Sequence, residues 1–150
     1  MTTSKLSFKK KLQKEHHQMC SGDRPYIDFL INKVPLSELL GGVTGSIGKF
    51  GWGVNTEFEL SEFSEFKKAK GSRHENKLYS IYVCAECGKE RCGAVMMDIE
   101  VLPETIKWKN FVWSDGEEIE AGNSIQIEPL IFEKEEYERA IQILEQMIIK

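Results

Sequence analysis

Three observations predict an α+β fold, a mainly antiparallel β-meander sheet packed against a C-terminal α-helix in a single domain. Residues 78–84, 94–101, 105–113 and 125–132 are each rich in β-branched and aromatic residues, and turn residues or short polar loops separate them. Links that short join antiparallel neighbours. The segment from Glu133 to Ile148 sets Tyr137, Ala140, Ile141, Leu144 and Ile148 at helical spacing, which supplies an apolar stripe to cover the sheet. A chain of 150 residues, 41% hydrophobic and 29% charged, can bury a core of its own without disulfides or metal.

Each element has its own warrant. Residues 1–24 are polar and basic, and the spacing of Leu6, Phe8 and Leu12 predicts a weak helix or a basic arm, ending at the breaker Ser21-Gly22-Asp23-Arg24-Pro25. Residues 25–150 form the domain. It opens with a strand over 26–32 and a short helix over 35–40 begun at Pro35. Glycines then break any pattern between Gly41 and Gly53, which predicts a surface loop with Phe50 and Trp52 either tucked onto the core or held out for a partner. Over 55–66 the two periods compete, because Phe63 and Phe66 are spaced as on a helix while Phe58 and Leu60 alternate as on a strand. In the strand over 94–101, Val95, Met97, Ile99 and Val101 share one face and Asp98 and Glu100 the other, so one side of the sheet is expected to be buried. The final helix is its natural cover. Glu133, Glu135 and Glu136 in that helix's first turn suit the positive end of its dipole, which explains them without catalysis.

Charge narrows the function. The formal net charge is −4, yet residues 1–14 hold five lysines and no acid, so the rest of the chain carries nine excess negative charges. An acidic body repels phosphate and attracts a basic protein, which argues against a nucleic-acid ligand. The apolar stretches fall far short of the roughly 20 residues of a membrane helix, and no apolar run follows the N-terminal lysines, so a cytoplasmic location is expected. Gly48-Lys49 invites comparison with a phosphate-cradling loop, but Val43 and Phe50 stand where a glycine and a hydroxyl are required. A strand that interleaves Lys107, Trp108, Lys109, Phe111 and Trp113 could stack single-stranded RNA, with Phe111 and Trp113 on the face of the lysines. The acidic body disfavours that use, and an exposed aromatic patch serves protein binding equally well.

The densest chemistry lies in Cys84, Cys87 and Cys92. Cys84 closes one strand, Cys87-Gly88 makes a turn and Cys92-Gly93 opens the next strand, so a hairpin gathers three sulfurs. Such a knuckle suits zinc, but tetrahedral closure takes a fourth ligand, and Cys20, His16, His17 and His74 are all distant in sequence. A redox CxxC would open a helix rather than a tight turn. The reading adopted is of reduced cysteines that pack a hairpin, with no metal and no cofactor; a small zinc-binding domain is the alternative. No nucleophile motif accompanies the histidines, so no enzyme is expected.

The run Leu78-Tyr79…Tyr82-Val83-Cys84-Ala85-Glu86-Cys87-Gly88…Cys92-Gly93-Ala94, then Trp108 with Phe111, then Phe132 with Tyr137, resembles a family of small, mostly uncharacterised bacterial proteins. They share a three-cysteine hairpin, a Trp-x-x-Phe strand and a Phe-x-x-x-x-Tyr start to the last helix. The resemblance implies a stand-alone cytosolic domain, and some small acidic proteins of this kind look like immunity proteins that neutralise a toxin from a neighbouring cell. The expected function is therefore stoichiometric binding to a basic protein, a cognate toxin of nuclease type. Trp113 with Asp115, Glu117, Glu118 and Glu120 is the expected contact, an aromatic anchor beside carboxylates.

Overall fold

The computed structural model describes residues 2–13, 24–42, 46–69, 78–84, 93–114 and 124–149. Strand β1 (Leu6–Gln13) pairs antiparallel with β2 (Arg24–Ile31), Leu6 opposite Ile31 and Gln13 opposite Arg24. The helical reading of the N-terminal stretch is thus corrected. Leu6, Phe8 and Leu12 are separated by even intervals, all of which put them on one face of a strand whereas only Phe8 and Leu12 share a helical face, and pairing with β2 gives β1 a ladder of hydrogen bonds. The two-residue turn Asn32-Lys33, with φ of 51° and 69°, leads to β3 (Val34–Pro35), which completes a three-stranded sheet in the order β1-β2-β3. Positive φ at both turn positions matches the right-handed twist of the strands it joins. The expected short helix follows Pro35 as α1 (Leu36–Leu39).

Inside the glycine-rich stretch lies a strand rather than loop alone, β4 (Ser46–Gly48). It fits because Gly48 has no side chain: a Cβ there would collide with the carbonyl of Ile27 on β2. The ambiguous stretch after Asn55 is helix α2 (Thr56–Lys68), whose N-cap Asn55 accepts a hydrogen bond from the Phe58 backbone N–H at 3.1 Å. Helical spacing prevails because it gathers Phe63 and Phe66 into the core, while Phe58 is left in solvent.

The second sheet, in the order β4-β5-β6-β7-β8, contains the predicted meander: β5 (Tyr79–Cys84), β6 (Ala94–Val101), β7 (Thr105–Ser114) and β8 (Leu130–Glu133). The last strand is shorter than expected. Residues 125–129 lie outside it, and Pro129 offers no N–H to a ladder. Helix α3 (Lys134–Ile149) buries all five residues of the predicted stripe, Tyr137, Ala140, Ile141, Leu144 and Ile148. The fold is α+β, two antiparallel sheets packed with a C-terminal helix. No helix among the described residues is long and apolar enough to cross a membrane.

Two seams join the sheets: Ser4 donates its backbone N–H to the Ile131 carbonyl at 2.6 Å, and Ile27 donates to the Phe50 carbonyl at 2.8 Å. Between them sits an aromatic core centred on Phe29, whose ring meets those of Phe8, Phe50, Phe66, Tyr82 and Trp108 at 5.7–6.4 Å. Val95, Met97 and Ile99 of β6 face this core as predicted, and Val101, at the strand's end, is exposed. Ala94, Met96 and Val112 form a second, smaller buried cluster with Leu78, so the sheet is apolar on parts of both faces.

Candidate functional site

The strand that carries the predicted anchor is not regular. Met96 lies opposite Val112 but Asp98 lies opposite Lys109, so Asn110 and Phe111 together face the single residue Met97. Asn110 takes up the extra residue at φ 55°, a left-handed conformation that asparagine tolerates better than most side chains. The bulge reverses the alternation of β7. Lys107 and Lys109 pair with Glu100 and Asp98, whereas Trp108 and Phe111 both join the core. The expectation that Phe111 and Trp113 share a face with the lysines is therefore corrected for both, since Trp113 lies opposite the core-facing Val95, and with it goes the base-stacking platform, since Trp108 and Phe111 are buried. Lys109 instead bonds Glu100 at 2.9 Å, which draws the Glu100 carboxyl below its ordinary range.

Trp113 remains at the surface, 39% exposed, opposite Val95. Its indole lies against the backbone of Gly93: a Cβ built there would stand 2.5 Å from Trp113 Cζ2 and 3.1 Å from Cη2. Gly93, at φ 118°, thus supplies both the space and the backbone conformation that the ring needs. An indole bedded on one face and wet on the other is held in place before any partner arrives.

Topology surrounds this tryptophan with strand ends. Because neighbours run antiparallel, the start of β4, the end of β5, the start of β6 and the end of β7 lie at one end of the sheet, with Ser46 opposite Cys84 and Ala94 opposite Ser114. Val83 faces Ala94 across the β5–β6 pair, which puts Cys84, a half-buried free thiol, at the mouth of the predicted hairpin. Cys87 and Cys92 lie outside the described residues, as do the possible fourth ligands Cys20, His16, His17 and His74. Among the described residues no three His, Cys, Asp or Glu side chains gather as a metal site. Asp115, Glu117, Glu118 and Glu120 also lie outside the described residues; the chain that bears them leaves β7 directly beyond Trp113.

Three polar clusters that the sequence reading missed hold the framework. Asp28, buried on β2, accepts from Lys11 Nζ at 2.6 Å and from the Tyr82 hydroxyl at 3.3 Å. The hydrogen bond holds the Lys11 ammonium above its usual range, and burial, with the Asp28 charge behind it, pushes the Tyr82 phenol far up. Lys49 Nζ bonds Glu62 at 3.0 Å and Ser80 Oγ at 2.8 Å. A lysine beside a serine suggests a nucleophile, but Ser80 is 2% exposed, out of reach of a substrate. Glu59 of α2 accepts backbone N–H groups from Gly51, Trp52 and Gly53 at 2.8–3.3 Å, fastening the glycine loop. Trp52 is accordingly tucked in, its indole N–H on the Gly48 carbonyl at 2.9 Å and the Arg24 guanidinium 4.3 Å above its ring. The polar partners of the Asp28 and Lys49 clusters lie far apart in sequence, while Glu59 reaches only to the neighbouring loop, where backbone N–H groups carry no sequence signal.

No family model, curated protein or solved structure matches this chain. Its function has to be read from its own surface.

Proposed function

We propose that the protein works by stoichiometric binding to a basic protein, with Trp113 as the anchor and the acidic run from Asp115 to Glu120 as the charged flank. In its fullest form the proposal is of a bacterial immunity protein, non-enzymatic and cytoplasmic, that occludes the basic cleft of a nuclease-type toxin. The carrying observation is the pre-set indole of Trp113 on Gly93. A rigid, half-exposed tryptophan loses little conformational entropy on binding and brings a large apolar area, the properties of an interface hot spot. The four carboxylates that follow within seven residues favour a basic partner and hasten the encounter.

The test is calorimetry against the product of the adjacent gene. A one-to-one complex is expected, weakened about thirtyfold or more by Trp113→Ala, as a hot-spot loss of about 2 kcal/mol requires. Glu118→Lys is expected to slow association at low salt. Unchanged affinity in both variants would remove the proposed surface.

The hairpin register that puts Cys84 beside the start of β6 favours a second reading, a small zinc-binding domain built on Cys84, Cys87 and Cys92. Elemental analysis decides it. One zinc per chain, lost in Cys87→Ser, would support that reading; a metal-free folded chain would end it.

A further inference from the structure

Strand β1 has an open edge. The Lys5 carbonyl accepts from Asn32 N–H on the β2 side at 2.8 Å, while Ser4 donates its N–H away from β2, to Ile131. Backbone groups in an antiparallel pair alternate between the partner and the outside. The outward set is therefore that of Leu6, Phe8, Lys10 and Leu12, and beyond Ser4 no described strand pairs with it. Helix α3 packs against β1. Between them lies an open groove of about 540 Å³ lined by Lys10, Arg139, Gln142, Ile143, Gln146 and Met147. Ile143 on its wall is 58% exposed, and Leu12, on the same face of β1 as Lys10, is 49% exposed. Among the described residues the only charges that line it are the two cations. Glu136, one turn before Arg139, sits 4.0 Å from Lys5.

We infer that this groove receives an extended acidic segment of another protein, which adds to β1 as a strand and rests its apolar side chains on Ile143 and Met147. The edge supplies unpaired donors and acceptors, the helix supplies an apolar wall, and Lys10 and Arg139 select carboxylates on the incoming strand. Exposed edges invite such pairing, and proteins blunt those they do not use. Lysines on β1 would repel a second basic edge while drawing an acidic one. The residues involved are separate from Trp113 and the acidic run, so this surface stands or falls apart from the proposed toxin contact.

The probe is a fluorescein-labelled eight-residue peptide that alternates glutamate with valine or isoleucine, followed by anisotropy on the full chain. Saturable binding is expected, with amide shifts in Leu6–Leu12 and Arg139–Met147. Lys10→Glu with Arg139→Glu is expected to weaken it more than tenfold without altering the unfolding midpoint. N-methylation of alternate peptide residues should abolish binding in one phase and leave it intact in the other, since only one set of peptide N–H groups faces β1. Equal binding of a lysine-for-glutamate peptide would overturn the inference, as would indifference to N-methylation in both phases, or no binding at millimolar peptide. Self-association of the free chain that Arg139→Glu abolishes would assign the groove to a second copy and also overturn it.

Discussion

At Asn110 a single dihedral angle decides which aromatic residues are available to a partner. In a regular strand Trp108 and Phe111 would face opposite ways. The left-handed step at Asn110 puts both in the core, where Trp108 meets Phe132 at 5.1 Å and donates to the Tyr137 hydroxyl at 3.3 Å. The Trp-x-x-Phe strand and the Phe-x-x-x-x-Tyr helix start are thereby explained as packing, whatever else they serve. Asn110→Val should cost about 1–2 kcal/mol in urea unfolding, because a β-branched side chain resists that conformation, while Asn110→Gly should be tolerated. Equal stability of the valine variant would show that the bulge is not required. Trp113 depends in the same way on Gly93, so Gly93→Ala should displace the indole and weaken partner binding with Trp113 itself intact.

At the scale of elements, α2 does more than bury Phe63 and Phe66. Through Glu59 it ties down three successive N–H groups of the loop that returns from β4, and through Glu62 it holds Lys49 at the same loop. Glu59→Ala would leave those donors without their carboxylate, at a cost of about 1–3 kcal/mol. Hydrogen exchange should then quicken at Gly51–Gly53 before it quickens in β6. If those amides keep their protection, the loop is held by Trp52 and Arg24 instead. Strand β1 was open to misreading for an elemental reason: the four-residue spacing of Phe8 and Leu12 suits helix and strand alike, while the two-residue spacing of Leu6 and Phe8 suits a strand, and pairing with β2 settles it. The stripe of α3 carried no such ambiguity, since five residues repeating over three turns fit one period alone.

For the whole molecule, two buried phenols set an alkaline limit. Burial drives Tyr82 and Tyr137 well above the usual phenol range. In the unfolded chain both ionise near pH 10. A group raised in the folded state contributes stability that is complete below its unfolded pKa and is lost as pH climbs towards its folded one. Stability should hold to about pH 10 and then fall by about 1.4 kcal/mol per pH unit for each phenol. Denaturant midpoints between pH 8 and 12 measure this, and Tyr137→Phe should reduce the slope by one proton. Partner association, if driven by the acidic surface, should slow markedly between about 0.02 and 0.3 M salt as the Debye length contracts.

Sequence alone determined the meander, the covering helix and its five core positions, because those follow from periodicity, a local property that the chain carries wherever it folds. It also identified Trp113 as an aromatic next to a run of acids. Tertiary structure decided the rest: that the N-terminal arm is a strand, that α2 is a helix, that Phe111 turns inward and Trp113 rests on Gly93, and that an edge and a helix enclose a groove. Each of these depends on residues far apart in the chain, such as Leu6 with Ile31, Phe66 with Phe29, Lys10 with Ile143 and Gly93 with Trp113. Pairing and close packing across such separations are settled only when the whole core closes, and no window of neighbouring residues contains them.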